Sequence, residues 1–362
     1  MDNSIQMLSE KVSLVASKNT WIDGLAIEQL FTTANLPDMV KVVGMPDLHP
    51  GQGYPIGAAY FSADLIYPSL IGSDIGCGMA LWQTEIPLAK LSIDKLERRI
   101  GNIDQPITRG KYNLGTIGGG NHFAELQKVS EIYDHDLFAQ YQLSNKNLFL
   151  LVHSGSRGLG HAILQQHVAK FGEKGLAQAS PEAQTYLEKH NNALDFAHYN
   201  RQTVAERLFD NLNTTGREIL NVHHNFLERV NDEGQQGWLH RKGASPATAG
   251  LVIIPGSRGD YSYLVNPIAN ADLLSSLAHG AGRKWRRADC KAKLENRYST
   301  DQMLRTKLGG RIICEDRDLV YEEAPQAYKS IDSVIESMQQ AGLIQIVAQL
   351  TPVLTYKTQG GD

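Results

Sequence analysis

Short apolar runs rich in β-formers punctuate the 362-residue chain at residues 40–44, 56–61, 148–152, 251–254 and 344–350. Each stands beside Gly, Pro, Asp or Asn, the boundary pattern of strands. A helical spacing of apolar positions runs instead through residues 26–34 and the long span 181–230. Within that span, Asn213-Thr214-Thr215-Gly216 is expected to end one helix and start another. No fixed-period repeat or low-complexity linker divides the chain. Glycine-rich motifs spread from residue 44 to residue 283, and one site drawing on all of them requires one folding unit. The pattern therefore predicts a single α+β domain of mixed sheets and helices over residues 1–362.

Composition narrows the class. A hydrophobic content of 42% is that of a globular protein, and no apolar run approaches the length of a membrane span. The first ten residues lack a basic region followed by an apolar one, so a cytoplasmic protein is expected. Cys77, Cys290 and Cys314 are odd in number and widely spaced, which disfavours a disulfide framework and leaves Cys77 available as a reduced ligand. The net charge of −4 gives no general attraction to nucleic acid, so any RNA affinity must be local. One stretch qualifies: Arg283, Lys284, Arg286, Arg287, Lys291 and Lys293 surround Trp285, supplying phosphate contacts and a stacking platform. A solvated basic helix face is the plainer alternative.

Six segments carry candidate chemistry. Asp74 and Cys77, three residues apart in Gly72-Ser73-Asp74-Ile75-Gly76-Cys77-Gly78, read as a metal cradle, in which a thiolate can bridge two ions. His122, in Gly120-Asn121-His122-Phe123-Ala124-Glu125, and His153, in His153-Ser154-Gly155-Ser156-Arg157-Gly158, sit at predicted strand edges. Asn121 and Glu125 offer hydrogen-bonding groups there, and Arg157 a fork for phosphate. His223 and His224 fall in the helical span, where neighbours point about 100° apart and only one can face a given metal; His224 is chosen because it abuts Asn225. In Gly44–Gly57, Asp47 or His49 can orient another imidazole through its second nitrogen, although the segment also reads as a simple turn. Pro255-Gly256-Ser257 through Ser262 offers backbone donors for a nucleotide, and His279, ahead of Gly280-Ala281-Gly282-Arg283, suits a phosphoramidate-forming nucleophile.

Absences sharpen the choice. The chain has no phosphate loop of the Gly-x-x-x-x-Gly-Lys type, no His-Glu-x-x-His and no Lys-x-Asp-Gly, since Trp21 holds the lysine position before Asp23-Gly24. Histidine is the better candidate for a nucleotidyl carrier here. Taken in order, Met45-Pro46-Asp47, Asp74-Ile75-Gly76-Cys77-Gly78, Gly120-Asn121-His122-Phe123, His153 to Gly158, His224-Asn225, Arg241-Lys242-Gly243-Ala244, Pro255-Gly256-Ser257, His279 to Arg283 and Pro352 to Lys357 resemble the RtcB family of RNA-splicing ligases. The resemblance covers nearly the whole chain.

It implies a deep metal-binding cleft, two Mn²⁺ ions and GTP. The implied metal ligands are Asp74, Cys77, His122, His153 and His224, with Cys77 bridging, and His279 is the implied guanylylated nucleophile. Asn121, Glu125, Asn225, Pro255, Gly256, Ser257, Ser262, Gly280 and Lys357 would hold GTP. Asp47 is also taken as a catalytic residue, and Arg157 and Arg283 would face the reacting RNA phosphate. The implied reaction joins an RNA 3′-phosphate or 2′,3′-cyclic phosphate to a 5′-hydroxyl. Departures from the family pattern are Arg258, where Met is usual, the run Arg283-Lys284-Trp285-Arg286-Arg287, and a short chain. Two other readings use part of the same residues: a metal-dependent phosphodiesterase or phosphatase would need neither His279 nor Lys357, and a non-catalytic RNA-binding relative would be expected to lack a ligand.

Overall fold

The computed structural model describes residues 4–232 and 234–358; the ends of the expected domain, residues 1–3 and 359–362, lie outside them. Among the described residues no helix is long and apolar enough to cross a membrane. The architecture is mixed α and β. A six-stranded sheet runs in the order Ile5–Met7, Val12–Val15, Met39–His49, Ile56–Ser62, Gln235–Lys242, Asn225–Asp232. A second sheet takes the path Gly216–His223, Gly78–Pro87, Asn147–Ser154, Phe123–Ile132, Ile344–Tyr356, Ser262–Pro267, Val252–Pro255, with Arg311–Ile313 parallel to Ile344–Tyr356.

Hydrophobic cores cover both faces of the second sheet at its centre, which explains why residues 148–152 of the strand Asn147–Ser154 read as an unbroken apolar run. Side chains alternate across a strand. Ala80, Trp82, Leu150 and Val152 therefore pack against Val204, Leu208 and Leu212 of the long helix Pro181–Leu212. Met79, Leu81, Phe149 and Leu151 enter the opposite core with Leu220, Val222, Val347 and Leu350. The six-stranded sheet joins the molecule through Val43, Met45, Ala59 and Phe61, which meet Ile254, Leu277 and the helix Ile331–Gln340.

All five expected strand runs lie in or overlap strands, and residues 26–34 fall within the helix Gly24–Ala34. The span 181–230 is a different case. Ser180 caps the long helix through Ala183 N, and the helix stops at Leu212, where Asn213 turns left-handed (φ 52°). Two strands, Gly216–His223 and Asn225–Asp232, then stand in place of the expected second helix. Leu220, Val222 and His224 are buried at every second position, and pairing to Gly78–Pro87 outweighs the local helical pattern. His223 and His224 thus point to opposite sides because they are at a strand end, not because they are 100° apart on a helix.

Candidate active site

Strand register assembles the site. His153 lies opposite Met79 on one side and Phe123 on the other, while His223 lies opposite Gly78. Cys77, His122 and His224 are the residues just beyond those pairs, so four strand ends deliver four ligand-type side chains to one place. They open onto a cleft of about 830 Å³ lined by every site residue selected from the sequence except Asp47, which lies fully buried behind it.

Cys77 Sγ lies 3.3 Å from His122 Nε2 and 3.1 Å from His153 Nε2. His153 Nε2 is 3.4 Å from His224 Nε2, and Asp74 Oδ2 is 2.8 Å from His122 Nε2. His153 Nδ1 lies 3.1 Å from the Asn121 carbonyl, which can only accept, so the ring proton sits on Nδ1 and Nε2 presents a lone pair. Burial holds His153 and His224 well below the ordinary imidazole range, so both are neutral. Burial, and then Asp74, push the Cys77 thiol up, against the opposing pull of Arg201 and Arg157. Asp74 behaves oppositely: burial works against its charge, but His122 and Arg157 outweigh it and hold the carboxyl low. Neutral imidazoles, a carboxylate and a buried thiol, with lone pairs converging inside 4.8 Å for Cys77, His122 and His153, fit a divalent cation that would displace the thiol proton. Arg157 Nη1 sits 3.1 Å from His122 Nδ1 and can only donate, so His122 carries its proton on Nε2 toward Asp74; a cation at Nε2 would require that proton to move to Nδ1 and the Arg157 contact to give way. Gly118 makes that arginine possible, since a Cβ there would fall 1.8 Å from Arg157 Cζ.

Behind the cluster stands a residue that sequence reading missed. Arg201, fully buried on the long helix, donates to Gly76 O (2.9 Å), Ser154 O (2.8 Å) and Asn221 Oδ1 (2.8 Å). It thereby ties the backbone before Cys77 to the backbone after His153. His223 joins this support, its Nδ1 lying 2.9 Å from Gly76 O. Asn225 also braces the cradle: its amide donates to Asp74 O and accepts from Gly243 N. His190 and His240 are satisfied core histidines that accept from the Leu227 and Tyr67 amides.

The second element is a dyad. Asp47 Oδ2 contacts His279 Nδ1 at 2.6 Å and accepts from the His279 amide at 3.2 Å. A carboxylate oxygen this close to the ring favours a proton on Nδ1, which would leave Nε2 as a lone pair. The His279 ring centroid is 4.6 Å from that of His224, beside the metal-type cluster. His49 turns away, its Nδ1 donating to Asp47 O, and burial lowers it to about 4. Lys329, also missed, donates to Pro46 O and Leu48 O on either side of Asp47. A lone lysine so distant in sequence from the strand it serves leaves no local pattern to find. Gly282 (φ 70°) lets the His279 loop cross this strand, because a Cβ there would lie 2.1 Å from Asp47 O.

A polar pocket forms the rest of the cleft. Glu125 accepts from Gln127 Nε2 at 2.6 Å and from Thr355, and Gln127 Nε2 also reaches Ser262 Oγ at 2.8 Å. Burial raises Glu125 to about 7 and lowers Lys357 to about 8, while Lys357 Nζ donates to Gly120 O at 2.7 Å. Asn121, Pro255, Gly256, Ser257 and Gly280 complete this wall. Arg283 is held inward: its guanidinium donates to Glu323, Tyr328 Oη, Glu322 O and Trp285 O. Those contacts make it a brace for the His279 loop. The cations of the basic stretch that line the cleft with exposed side chains are Lys284, Arg286 and Arg287.

Comparison with known proteins agrees with this geometry. The family model described as tRNA-splicing ligase RtcB matches residues 29–111 and 95–358. RNA-splicing ligase RtcB2 of Escherichia coli (strain ATCC 25922) is 53% identical over 100% of this chain and 99% of its own length. The tRNA-splicing ligase RtcB of Nanoarchaeum equitans is 30% identical over 98% and 94%, respectively. With the whole chain matched and one cleft built from its glycine-flanked motifs, the protein belongs to the RtcB family of RNA-splicing ligases.

Proposed function

We propose that this protein is a GTP- and manganese-dependent RNA ligase that joins a 3′-phosphate or 2′,3′-cyclic phosphate end to a 5′-hydroxyl end, in cytoplasmic RNA repair or tRNA splicing. The observation that carries this reading is the Asp47–His279 dyad set beside a buried Cys/His cluster. Asp74, Cys77, His122, His153 and His224 would hold two divalent cations. Bound there, divalent cations supply positive charge against phosphate oxygens and an acidified water that can open a cyclic ester. Cysteine and histidine donors alone would also suit zinc, so manganese rests on the family resemblance.

The chain's own residues account for the nucleotidyl transfer. Asp47 keeps the proton on Nδ1, so the Nε2 lone pair of His279 attacks the α-phosphorus of GTP; an N–P bond forms, the bond to the bridging oxygen breaks, and pyrophosphate leaves. Glu125 and Lys357, with Ser257, Ser262 and Asn121 around them, hold the nucleotide. An oxygen of the RNA 3′-phosphate then displaces His279 from phosphorus, giving RNA-(3′)pp(5′)G, and attack of the 5′-hydroxyl on the 3′-phosphorus expels GMP. Arg157 faces the same space from His122 and can meet the reacting phosphate through its fork. The test is sealing of a synthetic RNA with a 3′-phosphate and a 5′-hydroxyl. Product dependent on GTP and manganese is expected; conversion of the 3′-phosphate to a hydroxyl without sealing would assign the site to a phosphatase.

A further inference from the structure

The loop after the strand Val252–Pro255 carries an arginine that none of these roles uses. Arg258 lines the cleft, yet its Nε and Nη1 are buried and have no hydrogen-bond partner among the described residues. Arginine does not shed its proton at neutral pH, so the group calls for an acceptor beyond the described residues. Burial disfavours its charge, while Cys314, Glu323 and Tyr328 favour it. Lys357 lies within electrostatic reach and is repelled by it.

The local balance of charge selects the ligand. Glu323, 3% exposed, is the carboxylate shared by Arg258, Lys357, Arg283 and Arg287, and it already contacts Arg283 at 3.1 Å and Arg287 at 3.4 Å. Glu125, which also acts on Lys357, has its oxygens occupied by Gln127 and Thr355. Four cations thus face one committed carboxylate. A guanine edge can take a guanidinium through O6 and N7 but brings no negative charge, whereas a phosphate supplies both the charge and several oxygens for a planar guanidinium.

We propose that Arg258 is the binding residue of an oxyanion subsite in the cleft, taking a phosphate group either from the polyphosphate tail of GTP or from the RNA 3′ end. The identity of the occupant rests on the ligase reading; the existence of the subsite does not. The deciding experiment titrates inorganic pyrophosphate, without GTP or divalent cation, into the full chain and into Arg258→Met and Arg258→Gln, monitoring heat of binding and melting temperature. Wild type is expected to bind and to gain melting temperature, and both variants to lose about tenfold in affinity while melting at least as high without ligand. Two variants guard against misfolding of either one.

A second arm identifies the source. A rise of about tenfold in the KM for GTP in His279 labelling, with RNA affinity unchanged, assigns the GTP tail. Loss of the preference for a 3′-phosphorylated over a 3′-hydroxyl oligoribonucleotide, with the KM for GTP unchanged, assigns the RNA phosphate. Wild-type failure to bind pyrophosphate, or affinities of folded variants within about twofold of wild type, would overturn the subsite. Absence of labelling in wild type would sink the ligase reading and leave the pyrophosphate titration to decide Arg258.

Discussion

The Cys/His cluster and the basic stretch Arg283–Lys293 lie along the same cleft, yet they are built on opposite plans. In the cluster, ligand-type atoms converge: the side chains of Cys77, His122, His153 and His224 form a chain of contacts of 3.1–3.4 Å. In the basic stretch, charges disperse and are answered locally. Lys291 pairs with Asp318 at 2.6 Å, Lys293 lies 4.6 Å from the Trp285 ring, and Arg283 is enclosed by Glu323 and Tyr328. Convergent buried donors call for a ligand that supplies opposite charge. Dispersed surface cations need none, and a count of basic residues therefore overstates the RNA contact.

The largest expected effect comes from breaking the convergent side. Cys77→Ser replaces a soft, deprotonatable thiol with a hydroxyl, so metal content and ligation should fall by more than about a hundredfold, read by elemental analysis and RNA sealing. Undiminished metal and full sealing would remove Cys77 from the ligand set. Next, His224→Ala should lower bound metal strongly, whereas His223→Ala should leave most of it and cost about 1–2 kcal/mol of stability through its lost contacts to Gly76 and Arg201. Equal metal loss in the two variants would mean that His223 matters as support as much as His224 matters as ligand.

That pair also marks what was legible in the sequence. Strand ends flanked by glycine announced His122 and His153, because a ligand at a strand edge needs close backbone approach and glycine permits it. The choice between His223 and His224 rested on Asn225, whose amide turns out to brace Asp74 O and Gly243 N; strand parity, invisible under a helical reading, turns His224 inward. Arg201 and Lys329 left no trace, for their partners are backbone carbonyls brought near only by the fold. The core strand at residues 148–152 was readable because a doubly buried strand is apolar throughout, and 344–350 because Gln345 and Gln349 alone interrupt its apolar run; Gly78–Pro87, with its mixed polar end, was not.

A moderate effect is expected from pH. If nucleotide binding needs ionised Glu125 and protonated Lys357, kcat/KM for GTP should rise as pH passes about 7, where Glu125 loses its proton, and fall above about 8, where Lys357 loses its own. Glu125→Gln should remove the acidic limb and Lys357→Met the alkaline one, each with lower activity. A flat profile from about pH 6 to about pH 9 would separate these groups from the nucleotide. The smallest effect concerns the dispersed side: Arg286→Ser with Arg287→Ser should reduce the salt dependence of RNA binding by about two units of slope, and Lys291→Ser by about zero, because Asp318 already neutralises it. A slope lost mainly in the Lys291 variant would show that the dispersed cations act on RNA after all.

Everything proposed for the reaction turns on His279, oriented by Asp47, as the carrier of the nucleotide. Incubation with GTP labelled at the α-phosphorus and manganese, then denaturing separation, tests it directly. An acid-labile, base-stable adduct is expected, one that disappears in His279→Ala while bound metal stays near wild type and that is strongly reduced in Asp47→Asn. An adduct of wild-type intensity in His279→Ala, or RNA sealing by that variant, would contradict it.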